Sequence, residues 1–535
     1  MKQAYDRIFL LLLFVIGLLA TFSYGAYLDQ DSEQDILFYN IKEYMIHIPA
    51  ESALEREFNA ANIVEISNSV ERDHGIAAYY PVSLGMWYLN SHNAYMGNVL
   101  WHLYTYIFIF LVGCRSLYFF SKDIFRSREV ASFVTLVFFF TPRIFAESHY
   151  NNKDMILLAL VFACIWSGWR LINKCSLGNV MFFAILGAFA FNTKIIGAWF
   201  WGIIGLYVLV NYIFTKRFTR DVFFKMCLCI LSWIGVYILI TPACWTDIIG
   251  FFKYIFLYAI NFKRWKSYIL YQGKLLHTEY TGIPHKYLPT MILLTIPVGI
   301  LMMIFVGGIW LVINLLRKKS KCIFSLEGYV FLAVLSGLIP LAYAIIAQTP
   351  LYNGWRHFYF TYASMIICVG YCAHRLEQTI KKTLNRKILC GCGIAYVTLL
   401  TISIGINHPQ EHSYYNWIAG NNLEKVYELD YWDMSIRQAY DIIGGNLADG
   451  ASVSVSALNV TTMWGLEGNW EILPQDQKEK IELVEEWESA SYVIVNTTYA
   501  NMYSIEEYEK LKQEYSMLDD ISSYGNIICE IYRRK

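Results

Sequence analysis

What constrains this chain most is a succession of about eleven apolar runs, each close to the ~20 residues an α-helix needs to cross a bilayer. They cover residues 8–22, 97–120, 130–145, 155–171, 180–191, 195–214, 226–243, 288–316, 329–347, 358–373 and 388–406. A soluble globule has no use for so much unbroken apolar sequence. The composition agrees: 56% of the 535 residues are hydrophobic and only 16% charged, with a mean hydropathy of +0.37. The fold class that follows is a polytopic α-helical membrane protein. Lys and Arg number 43, as do Asp and Glu, so the net charge offers nucleic acid no electrostatic footprint.

The positions of the charges say more than their sum. Basic residues recur in alternate loops: Lys2 and Arg7; Lys122, Arg126 and Arg128; Arg170 and Lys174; Lys216, Arg217 and Arg220; Arg317, Lys318, Lys319 and Lys321; Arg375, Lys381, Lys382, Arg386 and Lys387. By the positive-inside rule these loops are cytoplasmic. The expectation is a multi-pass protein of the cell membrane with its N-terminus in the cytoplasm and its C-terminal part outside. Bulky Tyr24 and Tyr27 after the first run fit an uncleaved anchor better than a secretory signal. Residues 1–406 then form the transmembrane domain with external loops 29–95 and 245–289, residues 407–429 connect, and residues 430–535 form a small external α/β accessory domain.

Within the first external loop, Leu37, Ile41, Tyr44, Met45 and Ile48 recur at helical spacing. They predict a helix whose apolar stripe lies along the membrane surface. Residues 248–260 read the same way, with Lys253, Lys263 and Arg264 near the polar side. In the tail, Asp433 or Ser435 is placed to cap a helix through Tyr440, and the segments around Val453 and Val455, 492–495 and 527–532 read as strands. Nearly all of the twelve cysteines fall inside apolar runs, as Cys390 and Cys392 do, or beside basic loops, as Cys175 and Cys322 do. They read as buried, inert thiols.

Chemistry-bearing residues collect on the face opposite the basic loops. An acidic stretch after the first run carries Asp29, Asp31, Glu33 and Asp35. On a helix Asp29 and Glu33 share a face at i and i+4, whereas Asp31 points elsewhere. The turn between the third and fourth runs supplies Arg143, Glu147, His149, Lys153 and Asp154, and Lys194 follows the fifth. Arg356 and His357 precede the tenth run, and Arg72, Asp73 and His74 belong to the first external loop. Asp29 and Asp154 could serve as a base or hold a cation, and Lys153, Lys194 and Arg356 could clamp a phosphate. Each alone reads first as a snorkelling or topology-setting charge, and only together on one face do they suggest a site. Basic residues on this face run against the positive-inside bias, so an anion is expected to retain them.

These residues carry a resemblance. Asp29-Gln30 after the first run, Pro142-Arg143-Ile144-Phe145-Ala146 with Asn152-Lys153-Asp154, Ile283-Pro284 to Tyr287-Leu288-Pro289, and Trp355-Arg356-His357-Phe358 together resemble the bacterial family 39 glycosyltransferases. That is the GT-C group which includes protein O-mannosyltransferases and lipid A aminoarabinose transferases. The segment His408-Pro409 to Tyr414-Tyr415-Asn416, then Asp430-Tyr431-Trp432, is similar to the entry into an outer domain in such proteins. The resemblance implies an inverting transferase that takes a sugar from a polyprenyl phosphate donor at the outer face and passes it to a protein, glycan or lipid acceptor. It also implies roles: Asp29 as the catalytic carboxylate, and Lys153 and Arg356 on the carrier phosphate. Lys194, His357, His74 and Arg143 are further substrate-binding candidates. Asp154, with His149 as a second candidate ligand, would hold a divalent cation (magnesium, manganese or zinc). The family often has Asp-Glu where this chain has Asp29-Gln30, so Asp31 or Glu33 could share the catalytic role.

Two other classes compete. A transporter or lipid flippase would place charged or interrupted helices near mid-membrane and show paired halves; the runs here are mostly uncharged at their centres and show no repeat. A structural or sensor protein, binding through its outer domain, would leave Lys153 and Arg356 without a purpose.

Overall fold

The computed structural model describes residues 2–260, 266–318, 324–380, 383–447 and 452–535. Of the residues singled out above, Lys263, Arg264, Lys319, Lys321, Cys322, Lys381 and Lys382 lie outside the described set. Among the described residues, eight helices are long and apolar enough to cross a membrane, rather than about eleven. The three expected spans that fall short are helical, but shortened or broken. Residues 130–145 divide into Arg128–Phe139 and Pro142–Glu147. Pro142 lacks an N–H, and it pushes Thr141 to an extended conformation with ψ of 117°. Residues 180–191 lie in the 17-residue helix Leu177–Thr193. Residues 358–373 begin as the 3₁₀ turn Arg356–Thr361 before the helix Tyr362–Thr379. Pro297 likewise splits residues 288–316 into Tyr287–Thr295 and Val298–Lys318.

The bundle is ordered by how much of each helix other helices cover. Asp154–Asn173 is the axial member, with 89% of its apolar window buried, against 17% for Arg220–Leu239 and 11% for Asn385–Asn407. A helix apolar all round belongs either in a core or in lipid; Leu157, Val161 and Cys164, each fully buried, choose the core. The span Ala94–Phe125 passes so near that a Cβ at Gly113 would stand 2.8 Å from Ala159, and Gly113 lies in the π-helical stretch Ile109–Cys114. Cys390 and Cys392 are exposed on the peripheral helix Thr383–Asn407, which corrects their reading as buried thiols.

The helix Gln30–His47 exists, but most of its apolar stripe is covered by protein and not by the membrane surface. Leu37, Ile41 and Met45 are buried in the core and Tyr44 is half-buried against Tyr80 and Trp245, whereas Ile48, just past the helix, is 54% exposed. Helical periodicity reports that a face is covered, not whether lipid or protein covers it.

The strands form two sheets, of which only the larger lies beyond residue 407. A hairpin of β1 (Tyr268–Tyr271) and β2 (Lys274–His277) comes from the second large loop. The C-terminal region forms a five-stranded sheet from β3 (Val453–Ala457), β4 (Ile481–Leu483), β5 (Tyr492–Asn496), β6 (Tyr515–Ser523) and β7 (Asn526–Arg534). Its order is β4-β3-β5-β7-β6, with β3 parallel to β4 and β5 and the remaining pairs antiparallel. Central β5 is buried along its whole length, as a strand covered on both faces should be. The expected helix appears as Ile436–Gly445, but neither Asp433 nor Ser435 caps it through its side chain. Asp430 instead fastens the turn leading into it, accepting the Met434 and Ser435 N–H groups, each at 2.9 Å.

The sheet region and the helical bundle share one hydrophobic core, in which Tyr431, Trp432 and Ile436 pack with residues of the spans. Polar clamps fix the joint. Asn416 donates to the carbonyls of Leu293 (2.7 Å) and Ile296 (2.8 Å), groups left unpaired where the helix Tyr287–Thr295 ends. Asn469 holds Ala26 from both sides, accepting its N–H at 3.0 Å and donating to its carbonyl at 2.8 Å. Replacing Asn469 by Leu strands both backbone groups in a buried setting, at about 1–3 kcal/mol each. Thermal unfolding of the purified full chain should therefore show Asn469→Leu melting clearly below wild type. An unchanged melting temperature would mean that the clamp is not part of the joint.

Candidate functional site

The site begins where the first span ends. Asp29 is the residue preceding the helix Gln30–His47 and makes no side-chain cap to it. Two residues on, Asp31 is exposed and faces away, near Glu471 of the C-terminal region. Glu33 turns inward, as the i, i+4 spacing requires, and both its oxygens are taken: Lys153 Nζ lies 2.6 Å from one, and Asn152 donates to the other at 3.0 Å. Gln30 is buried with its amide oxygen 3.1 Å from His102 Nε2.

Three cation–carboxylate pairs stand side by side. Lys153 with Glu33 is closed, and the Lys153 ammonium is also 2.9 Å from His74 Nδ1. Burial and then the charge of Lys153 hold His74 below its ordinary pKa. His74 is placed there by the next residue: the backbone at Gly75 passes so near Asn192 that a Cβ would lie 1.8 Å from its carbonyl oxygen, so no side chain fits. Lys194 with Asp154 is the second closed pair; Asn151 donates to the other Asp154 oxygen at 3.1 Å. Both lysines expected to clamp a phosphate are thus committed to carboxylates.

The third pair is open. Arg356 Nη1 is 3.6 Å from Asp29 Oδ2, too far for a hydrogen bond, and the Asp29 side chain is 46% exposed. The Arg356 side chain is only 8% exposed. Its guanidinium carbon lies 4.3 Å from the centre of the Trp432 ring and 5.0 Å from that of Tyr352. Such aromatic contacts are worth ~2 kcal/mol or more where water is excluded. Arg356 Nε is buried and has no hydrogen-bond partner among the described residues. Burial opposes the charge of Arg356, but Tyr352, Asp29 and Asp154 around it keep it protonated, with its pKa raised. For Asp29, burial of the carboxyl among protein groups raises the pKa, Arg356 opposes that, and Glu33 adds to it.

His357 sits beside this pair, its ring 4.6 Å from that of Tyr352, with Nε2 buried and unpartnered among the described residues. Burial, then Lys194, pushes its pKa well down, so it is neutral. Arg143 is placed elsewhere. Its Nε donates to the Tyr414 carbonyl at 2.9 Å and its guanidinium covers the Tyr415 ring at 4.7 Å, which makes it an anchor for the connecting segment. Near it lies a carboxylate of the same short helix. Glu147, fully buried, accepts from Tyr359 (2.6 Å), Tyr431 (2.9 Å) and Asn151 (2.7 Å), although burial still raises its pKa. Glu428 is pushed up to about 8 by burial, against the opposing influence of Arg356, Arg143 and the backbone of Asn353 and Gly354.

The residues proposed for a divalent cation do not fit one. Asp154 is held by Lys194 and Asn151, so an ammonium occupies the place of a metal. His149 has both ring nitrogens against backbone carbonyls, Phe145 at 2.9 Å and Gly17 at 3.0 Å, and its ring stacks on Tyr106. Among the described residues, no three His, Cys, Asp or Glu side chains converge as metal ligands.

Sequence reasoning missed Tyr352 and Trp432 as parts of the site, and it named Glu147 without giving it a role. Glu147 left a signal, an acid in an otherwise apolar stretch. Trp432 left none, because nothing local links it to Arg356.

No protein-family model matches the chain, and no curated protein matches it. Among solved structures, ArnT from Cupriavidus metallidurans in the apo state matches at 11% identity and a TM-score of 0.45, covering 99% of this chain and 98% of that one. The same protein bound to undecaprenyl phosphate matches at 11% identity and a TM-score of 0.44 over the same shares. Values this low do not establish a shared fold.

The Asp29–Arg356 geometry has a consequence for stability. A carboxyl whose pKa is raised by folding makes the folded state bind more protons than the unfolded one, so its contribution to stability declines as pH climbs from its unfolded pKa through its folded one. Asp29→Asn, which removes the charge, should therefore melt at or slightly above wild type at pH 7, with the difference shrinking as pH falls toward 4. A clear loss of stability at pH 7 would instead make Asp29 and Arg356 a structural ion pair.

Proposed function

We propose that this chain is a GT-C-type glycosyltransferase that moves a sugar from a polyprenyl phosphate donor to an acceptor hydroxyl at the outer face of the membrane, with inversion at the sugar carbon. The observation that carries the reading is the one open pair among three: a buried guanidinium with unused donors beside a half-exposed carboxylate. A guanidinium with free N–H groups in a dry aromatic slot is suited to two oxygens of a phosphate. The carboxylate next to it is suited to take a proton from an attacking hydroxyl.

In this reading the acceptor oxygen bonds to C1 of the sugar while the bond from C1 to the carrier phosphate oxygen breaks. The hydroxyl proton passes to Asp29, and the electron pair leaves with the carrier phosphate, whose new charge meets Arg356. Lys153 and Lys194 act indirectly, by neutralising Glu33 and Asp154 so that their charges do not repel the phosphate. His357, neutral and partly unpartnered, is available to a donor or acceptor oxygen. Membrane burial follows from the donor, since a long polyprenyl tail has to stay in lipid while its phosphate reaches the site. The C-terminal region is then part of the active site through Trp432, beyond an accessory role.

The test is transfer in vitro with purified protein and a polyprenyl-phosphate-linked sugar. Asp29→Asn should lower the rate by ~10² to 10⁴, as loss of a general base does. Arg356→Lys keeps the charge but not the fork, and should lose about one to two orders of magnitude per hydrogen bond forgone. Full activity of Asp29→Asn together with an inactive Asp31→Asn would move the base off Asp29 and contradict the assignment.

A further inference from the structure

A cavity lies apart from the Asp29–Arg356 pair and is lined by neither residue. It encloses about 350 Å³, in the range of small-molecule sites. One wall is made where three spans reach the same membrane boundary: Phe22 and Tyr24 at the end of the first, Tyr95 at the start of the second, and His408 just beyond the last. The other wall is the helix Ile436–Gly445, which contributes Arg437 and Asp441. Tyr24 packs on Tyr150, and Tyr150 and Tyr27 pack on Trp432, so an aromatic partition separates this cavity from the slot that holds Arg356.

The polar groups of the lining differ in how far they are satisfied. Tyr24 and His408 are tied up by Glu411, at 3.1 and 2.6 Å, and offer the cavity mainly ring surface. Arg437 is not satisfied. Its Nη2 lies 3.5 Å from Asp441, a marginal contact, and its Nη1 is buried with no partner among the described residues. Arg437 thus lines the cavity with a charge that Asp441 meets only at the limit of contact, and a phosphate oxygen is the acceptor that suits a guanidinium best. Asp441, with a side chain 53% exposed, would repel a simple anion at the same place. Together the two call for a ligand bearing both charges, with its cationic end against Asp441 and the aromatic rings. The rim is set for an amphiphile as well. Phe22 is 53% and Tyr95 41% exposed, and lipid-facing Leu19 and Ile406 lead from the rim along the outer surfaces of the first and last spans.

We propose that this cavity binds the head group of a zwitterionic phospholipid, a phosphate diester carrying a primary ammonium. Arg437 takes the phosphate and Asp441 with the ring faces of Tyr24 and Tyr95 takes the ammonium, while the acyl chains stay in the bilayer against the first and last spans. The site thus ties the C-terminal region to the lipid leaflet at the boundary where the first span ends.

Native mass spectrometry and calorimetry on the purified full chain test this with dioctanoyl phosphatidylethanolamine, dioctanoyl phosphatidylglycerol and inorganic phosphate. One phosphatidylethanolamine should bind, at least ~10-fold tighter than phosphatidylglycerol. Arg437→Met, which keeps the aliphatic stem, should lose that binding, and Asp441→Asn should erase the preference between the two lipids. Tyr95→Ala alters only an exposed rim ring and should weaken phosphatidylethanolamine binding without changing the melting temperature. Equal binding of the two lipids by wild type, or binding unaffected by Arg437→Met, would overturn the proposal. Competition by millimolar inorganic phosphate with no lipid bound would overturn it too, by making the cavity a soluble-anion site.

Discussion

The burial of one guanidinium constrains the rest of this structure. Arg356 is sequestered between two aromatic rings where water cannot solvate it, and a charge in such a place persists only if its surroundings repay the lost hydration. Asp29 and Asp154 supply part of that repayment electrostatically, and the faces of Trp432 and Tyr352 supply more. These groups come from four distant parts of the chain. The exit of the first span, the entry of the axial helix, the turn before Arg356 and the start of the C-terminal region must therefore meet at one point. The shared core and the Asn469 and Asn416 clamps hold them there.

The same economy separates structural from reactive charges. Glu33 and Asp154 are closed by lysines, and Glu147 is closed by two tyrosines and an asparagine. Asp29 and Arg356 face each other at a distance where neither satisfies the other. A fold optimised only for stability would close that gap, as it closed the other two. Leaving it open costs stability at the position where a reactant's charge and proton could be received.

Much of this was legible in the sequence, and the failures have physical causes. Long apolar runs identified the helices because the bilayer imposes a length, and the i, i+4 spacing of Asp29 and Glu33 separated them correctly from Asp31. Pro142 and Pro297 were in plain view, yet runs were read through them, because hydropathy averages over the missing N–H that stops a helix. The stripe from Leu37 to Ile48 reads as a membrane-surface face, yet the protein covers it as far as Met45. Both are apolar phases, and periodicity cannot distinguish them. Of the cations placed on the outward face, the sequence could not say that Lys153, Lys194 and Arg143 would be consumed by neighbours and Arg356 would not. That depends on partners as remote as Trp432, 76 residues along the chain by number, brought in only by the docking of the C-terminal region.

The central claim is that Arg356 recognises a carrier phosphate, and a binding measurement reaches it without depending on the sugar or the acceptor. Purified protein in lipid nanodiscs would be titrated with a polyprenyl phosphate and with the matching polyprenyl alcohol, following tryptophan fluorescence, since Trp432 lies on Arg356. The account predicts that the phosphate binds at least ~10-fold more tightly than the alcohol, and that Arg356→Gln abolishes the difference while leaving the weaker, tail-driven binding in place. Equal affinity for the two lipids in the wild type, or a preference that survives Arg356→Gln, would contradict it.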